Sequence, residues 1–216
     1  MRSTGLLDSF QQQVLFGFFR RESRFFLTGG AALAGFHLKH RRTQDLDFFT
    51  TGSHLEDGVS ALMATARELE ASIEALQTSP EFRRYLLRRG QDAVVVDLVW
   101  DLAPQLYPKV NIAGISVDPP EEILANKLCT LLSRAELRDL IDVRALEQAG
   151  YPMERYFESA SRKDGGLTPG QLAWVLSEIK IGEDAQPPGG VSVSELRTYL
   201  QDLQDRLSRM ALPSQD

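Results

Sequence analysis

Asp45 and Asp47, separated by a single leucine in Asp45-Leu46-Asp47-Phe48-Phe49, set two carboxylates side by side in a stretch that is otherwise apolar. In an extended strand alternate side chains share a face, so the two aspartates project together while Leu46 and Phe48 pack on the other side. Like charges placed this way either form the solvent face of an edge strand or share a cation. A divalent ion with oxygen ligands, most naturally Mg²⁺, supplies that charge and keeps waters and phosphate oxygens in its shell. Asp97 interrupts Val94-Val95-Val96-Asp97-Leu98-Val99-Trp100, where a buried carboxylate needs a metal or a cationic partner. Two strand aspartates on one segment and a third on another are the donors of a two-metal phosphoryl-transfer site, so Asp45, Asp47 and Asp97 are the candidate metal ligands.

Gly29-Gly30 follows Thr28 at the end of an aromatic segment and precedes Ala31-Ala32-Leu33. Absent side chains there let a phosphate approach backbone N–H groups, with Thr28 adding a hydroxyl; a plain tight turn is the other reading. No Lys-Ser or Lys-Thr follows, so this is not a P-loop. Lys39-His40-Arg41-Arg42 lies just before the acidic pair, and Arg83-Arg84 with Arg88-Arg89 forms a second basic cluster. Each is either a solvated face balanced by acids or a contact for a polyanion such as tRNA. His37, His40 and His54 have no metal-ligand spacing, and the sole cysteine, Cys129, sits among leucines and excludes both an intramolecular disulfide and a Cys-rich zinc site.

The elements that must hold these residues can be read from periodicity. Leu7, Phe10, Val14, Leu15 and Phe18 predict an amphipathic helix, followed by strand, glycine turn and helix through His37. Strands are expected at 45–49, 73–78, 82–88 and 93–100, with one more at 110–117, and a helix capped by Ser53 or Asp57 running to Glu70. Asp118-Pro119-Pro120-Glu121 reads as a helix start with Asp118 as N-cap, opening a helix that continues to Gln148. Shorter helices are expected at 153–162, 168–180 and 192–209, and a frayed tail at 213–216. The layout is an α/β half over residues 1–117 and a helical half over residues 118–216.

With 216 residues, 43% of them hydrophobic, the chain can bury a sizeable core. A formal charge of -6 and a pI near 5.2 argue against a nucleic-acid coat or a membrane-surface protein. No apolar run reaches the roughly 18 residues of a membrane span and no signal-peptide pattern opens the sequence, so a cytoplasmic location is expected.

Thr28-Gly29-Gly30-Ala31-Ala32-Leu33 and Arg42-Thr43-Gln44-Asp45-Leu46-Asp47-Phe48 together resemble the signature of the AbiEii/AbiGii-type nucleotidyltransferases, toxins of toxin–antitoxin systems within the DNA polymerase β-like superfamily. The resemblance extends through Asp97 to Lys127 and the run from Arg134 through Arg138-Asp139-Leu140-Ile141-Asp142, covering about residues 25 to 146. It implies an α+β fold, with a twisted mixed β-sheet flanked by helices and a C-terminal helical bundle. It implies Mg²⁺-dependent transfer of a nucleoside monophosphate from an NTP to an acceptor hydroxyl, tRNA being one acceptor, and a cognate antitoxin as partner. Asp45, Asp47, Asp97, Lys127 and Asp139 would be catalytic, with Asp139 preferred to Asp142. Thr28, Gly29, Gly30, Arg42, Thr43 and Lys127 would bind nucleotide. The rival expectations are a non-catalytic nucleotide- or partner-binding module and a small-molecule, antibiotic-type nucleotidyltransferase.

Overall fold

Strict alternation of half-buried and buried residues along Asp45–Thr50 shows a strand with one face in a core and the other turned away from it. The computed structural model describes residues 5–212; the tail expected at 213–216 lies outside them. The chain forms two compact units, one built from the residues up to Leu102 with Tyr107–Pro119, the other from Ala103–Leu106 and the chain from Pro120 onward.

In chain order the first unit contains α1 (Ser9–Phe19), β1 (Phe26–Thr28), α2 (Gly29–Ala32) running into a π-helical turn (Leu33–His37), β2 (Asp45–Thr50) and α3 (Leu55–Glu68). Then come β3 (Ser72–Thr78), β4 (Phe82–Arg89), β5 (Asp92–Trp100), β6 (Val110–Ile112) and β7 (Ile115–Val117). The seven strands make one mixed sheet in the order β3-β4-β5-β2-β1-β7-β6. β1 runs parallel to β7 and β2 parallel to β5, and the remaining neighbours are antiparallel. Leu46, Phe48, Val94, Val96, Leu98 and Leu87 form the buried face. α1 covers it through Phe18, which stacks on Phe48 at 4.5 Å between centroids and meets Phe25 edge-on at 5.4 Å. The opposite face carries Asp45 and Asp47.

Residues 110–117 are a hairpin rather than one strand. Ala113 and Gly114 both adopt positive φ, 56° and 84°, between paired Ile112 and Ile115, which is the backbone that a tight two-residue turn requires. The Asp118 N–H donates to the Leu27 carbonyl at 2.9 Å and its carboxylate pairs with Lys109, tying the end of β7 to β1.

The second unit is helical: α4 (Pro120–Ser133), α5 (Leu137–Gln148), α6 (Met153–Lys163), α7 (Pro169–Ser177) and α8 (Val193–Ala211). The single helix expected up to Gln148 is broken between Ser133 and Leu137, where Ala135 turns left-handed at φ 49°. Arg134 therefore lies past the end of α4 and not seven positions along one helix from Lys127. Ser192 caps α8 through a reciprocal box with Glu195. Glu122 is buried against Lys163 and accepts from the Leu106 N–H at 2.9 Å, while Lys163 also donates to the Pro104 carbonyl, which fastens residues 103–106 to this unit.

Glu147 is the hub between α5, α6 and α8, accepting from the Tyr199 hydroxyl at 2.6 Å, the Met153 N–H at 2.9 Å and both Arg206 terminal nitrogens at 2.8 and 2.7 Å. Burial works to raise its pKa, but Arg206 and Tyr199 outweigh it and the carboxyl lies below its ordinary value. A carboxyl that is more acidic folded than unfolded contributes stability above the unfolded pKa and loses it as pH falls through the folded one. The thermal midpoint should therefore hold steady between about pH 6 and 8 and fall once pH drops below about 4. Calorimetric scans on wild type and Glu147→Gln check this: the variant should show a shallower acid slope, and identical slopes would remove Glu147 from the account.

Candidate active site

Strand register brings one residue from each of four neighbouring strands into a single row. Thr28 of β1 lies opposite Asp47 of β2, Asp47 opposite Asp97 of β5, and Asp97 opposite Arg84 of β4. Directly opposed residues share a face, and at roughly 4.8 Å per strand the row spans about 14 Å. Asp45 sits two residues along β2 on the same face. The site is thus a hydroxyl, a carboxylate, a second carboxylate and a guanidinium in line, with a third carboxylate flanking them.

Asp97 is 5% exposed and both of its oxygens are taken by Arg84, Nε to Oδ1 at 2.8 Å and Nη2 to Oδ2 at 2.7 Å. The sequence demanded a metal or a cation for this carboxylate, and the structure supplies a forked arginine. The Arg84 pKa is raised, chiefly by the hydrogen bonds to Asp97, against burial, with the charges of Asp97, Asp45 and Asp47 adding to the effect. Among the described residues no group of three or more His, Cys, Asp or Glu is clustered to hold a metal. The donors that fit a divalent cation are Asp45 and Asp47, two hard oxygen ligands on one strand face.

The approach to this row is set by the glycines and by a segment anchored to α1. Gly29 has φ 63°, and a Cβ there would overlap the Asp47 carboxylate. A Cβ on Gly30 would come within 2.8 Å of Arg41 Nη2 and 3.3 Å of Thr43 Oγ1. The space left by the two missing side chains therefore receives the side chains of the site itself. Thr43 Oγ1 donates to Asp45 Oδ1 at 2.6 Å, and the Thr43 carbonyl accepts from buried Gln11 of α1 at 2.8 Å. Thr28 Oγ1 is buried at the end of the row without a hydrogen-bond partner among the described residues. Of the basic approach segment, Arg41 is buried beside Gly30 whereas Arg42, the arginine expected at the nucleotide, is exposed.

Gly29→Ala should disable the site without altering any charge. The left-handed backbone costs the alanine about 1 kcal/mol and the overlap pushes Asp47 aside. Displacing a catalytic group by about 1 Å is expected to lower turnover about a hundredfold. Steady-state rates on a variant shown to be folded by circular dichroism check this; a rate within threefold of wild type would mean that Asp47 tolerates the shift.

Lys127, on α4 in the second unit, is 6% exposed and lies between two fully buried carboxylates of α5, Nζ to Asp139 Oδ1 at 2.7 Å and to Asp142 Oδ2 at 2.7 Å. Arg134 Nε adds 2.9 Å to Asp139 Oδ2. Burial lowers the Lys127 pKa, yet Asp142 and then Asp139 more than reverse this, leaving it raised. Burial likewise opposes ionisation of Asp139, but Lys127 and Arg134 outweigh it and the carboxyl sits below its ordinary value. Asp142 engages Lys127 as closely as Asp139 does, and Asp139 is engaged by Arg134 as well.

The second basic cluster is largely balanced by acids: Arg83 pairs with Glu56 at 2.8 Å, Arg84 with Asp97, and Arg89 approaches Asp92 at 3.6 Å. Of the two readings the sequence offers for this cluster, the face balanced by acids is the one these pairs fit, and Gln11 gave no local signal of its role.

The same fold occurs in solved structures. JHP933 from Helicobacter pylori aligns with a TM-score of 0.58 and 18% identity over 92% of this chain and 90% of its own. MenT4, a nucleotidyltransferase toxin from Mycobacterium tuberculosis H37Rv, aligns with a TM-score of 0.59 and 15% identity over 94% of this chain and 82% of its own. The mixed sheet with flanking helices is thus shared with these structures, as the family resemblance implied. The family model for the AbiEii nucleotidyl transferase toxins of type IV toxin–antitoxin systems matches residues 13–179, and the chain belongs to that family. No match was found among curated proteins. No helix of the described residues is long and apolar enough to cross a membrane.

Proposed function

We propose that the protein transfers a nucleoside monophosphate from an NTP to a hydroxyl of tRNA, using Mg²⁺ held by Asp45 and Asp47, and acts as the toxin beside a cognate antitoxin. The observation that carries this reading is the row of Thr28, Asp47, Asp97 and Arg84 with Asp45 on the same sheet face. The bound ion would neutralise triphosphate charge and polarise the phosphoryl group under attack. Thr43 fixes the Asp45 carboxylate through its 2.6 Å hydrogen bond, and Gly29 admits the Asp47 carboxylate against the backbone. The Thr28 hydroxyl, buried with no hydrogen-bond partner among the described residues, and the Gly29-Gly30 backbone would bind phosphate oxygens. Exposed Arg42 offers a cation to the incoming polyanion, and family membership supports the choice of an NTP as donor and an antitoxin as partner.

The test is incubation of the protein with each α-labelled NTP, Mg²⁺ and total RNA. Label on RNA of tRNA size with release of pyrophosphate is expected. Label on protein or on small molecules instead would overturn the RNA acceptor, and no pyrophosphate from any NTP would overturn the transferase reading.

A further inference from the structure

The row contains a charge pattern that a two-metal site does not need. A pair of divalent ions would require Asp97 to offer an oxygen to the second ion, yet each Asp97 oxygen already accepts from the Arg84 fork, at 2.8 and 2.7 Å, so an ion on its remaining lone pairs would sit against the fixed positive charge of the guanidinium. A guanidinium is planar, permanently charged and matched to a carboxylate through two parallel N–H···O bonds, so this pair is hard to open in a half-buried setting. Arg84 is also set by its strand rather than by a flexible reach: it stands directly across from Asp97 in the β4–β5 ladder, and its guanidinium lies 5.5 Å from the Phe82 ring. The charges of Asp45 and Asp47 act on it too.

We infer that Arg84 is the resident cation of the site and replaces a second metal ion, so that the protein binds one divalent cation, at Asp45 and Asp47, with Asp97 serving as the anchor of Arg84. This rests on the proposed metal-dependent reading of the site. Arg84 then acts as a positioning and charge-compensating residue, holding one positive charge fixed beside the carboxylates while the ion comes and goes with substrate.

The test counts bound Mn²⁺ by electron paramagnetic resonance in the presence of a non-hydrolysable NTP analogue, taking as sites those lost in Asp45→Asn/Asp47→Asn. Wild type should bind one ion per chain with an isolated six-line spectrum, and Asp97→Asn should leave that count unchanged. Arg84→Gln should free Asp97 and raise the count to two, with the spectral broadening of ions roughly 4 Å apart. Adding Asp97→Asn to Arg84→Gln should return it to one. Two coupled ions in wild type, one of them lost in Asp97→Asn, would overturn the inference, as would no ion in wild type or a count of one in Arg84→Gln. Should Arg84→Gln fail to fold, the comparison of wild type with Asp97→Asn decides alone. Failure of the transferase reading shows separately, as absence of pyrophosphate release from wild type with every NTP, whatever the ion count.

Discussion

Asp47→Asn is expected to abolish nucleotidyl transfer, lowering the rate by about a thousandfold or more, while leaving the protein folded. The substitution keeps the size of the side chain and removes its charge, so one of the two carboxylates proposed to hold the metal becomes a neutral carboxamide. Losing several kcal/mol of charge stabilisation on the transferring phosphoryl group corresponds to about that rate effect. Stability should change little, because the repulsion that Asp47 feels from Asp45 on the same face and from Asp97 directly across is offset by its attraction to Arg84. Pyrophosphate release and thermal unfolding, measured on the same preparation, give both halves of this expectation. A variant retaining a tenth of wild-type activity would mean that Asp47 does not hold the ion.

Lys127→Met should produce the largest loss of stability among substitutions in the second unit, about 3–5 kcal/mol in urea unfolding. Methionine is close to lysine in length, so the cost comes from charge: Asp139 and Asp142 are fully buried and lose their shared cation, while Arg134 stays at Asp139. Neutralising the carboxylates as well, in Lys127→Met/Asp139→Asn/Asp142→Asn, should recover much of the loss, since removing a whole buried ion cluster is far less costly than removing one member. A loss below about 1 kcal/mol for Lys127→Met would show that water reaches the cluster and screens it. The same variant separates support from catalysis: assayed well below its unfolding midpoint, an unchanged KM for NTP assigns Lys127 to the fold, and a raised one assigns it to nucleotide binding.

Much of this was legible in the sequence, for reasons that differ by residue. The Asp45 and Asp47 pair, the glycines after Thr28 and the strand from Asp92 to Trp100 each follow from local patterning, in which period-two alternation or a run of β-branched residues fixes the element and its faces. The partner of Asp97 was legible too, although it was read as a surface cation. Gly90-Gln91 is a two-residue turn with Gly90 at φ 59°, and counting back equally from it along both strands sets Arg84 across from Asp97. The break after Ser133 was hidden, because Ala135 is a strong helix former and only tertiary packing holds it left-handed, where α5 folds back to place two aspartates on Lys127. Burial of Gln11 beneath Thr43 was equally out of reach, since a long-range contact between a helix and a loop leaves no local pattern.

That hairpin turn carries a constraint on how the gene can change. Surface turns ordinarily absorb insertions and deletions at little cost. At Gly90-Gln91, one added residue would slide β4 against β5, turn its Tyr85 and Leu87 face outward and carry Arg84 away from Asp97, unless a bulge took up the difference. The length of a turn six residues from the carboxylate is therefore as much a part of the site's charge balance as the arginine itself, and length variation that most surface loops would tolerate needs a compensating bulge there.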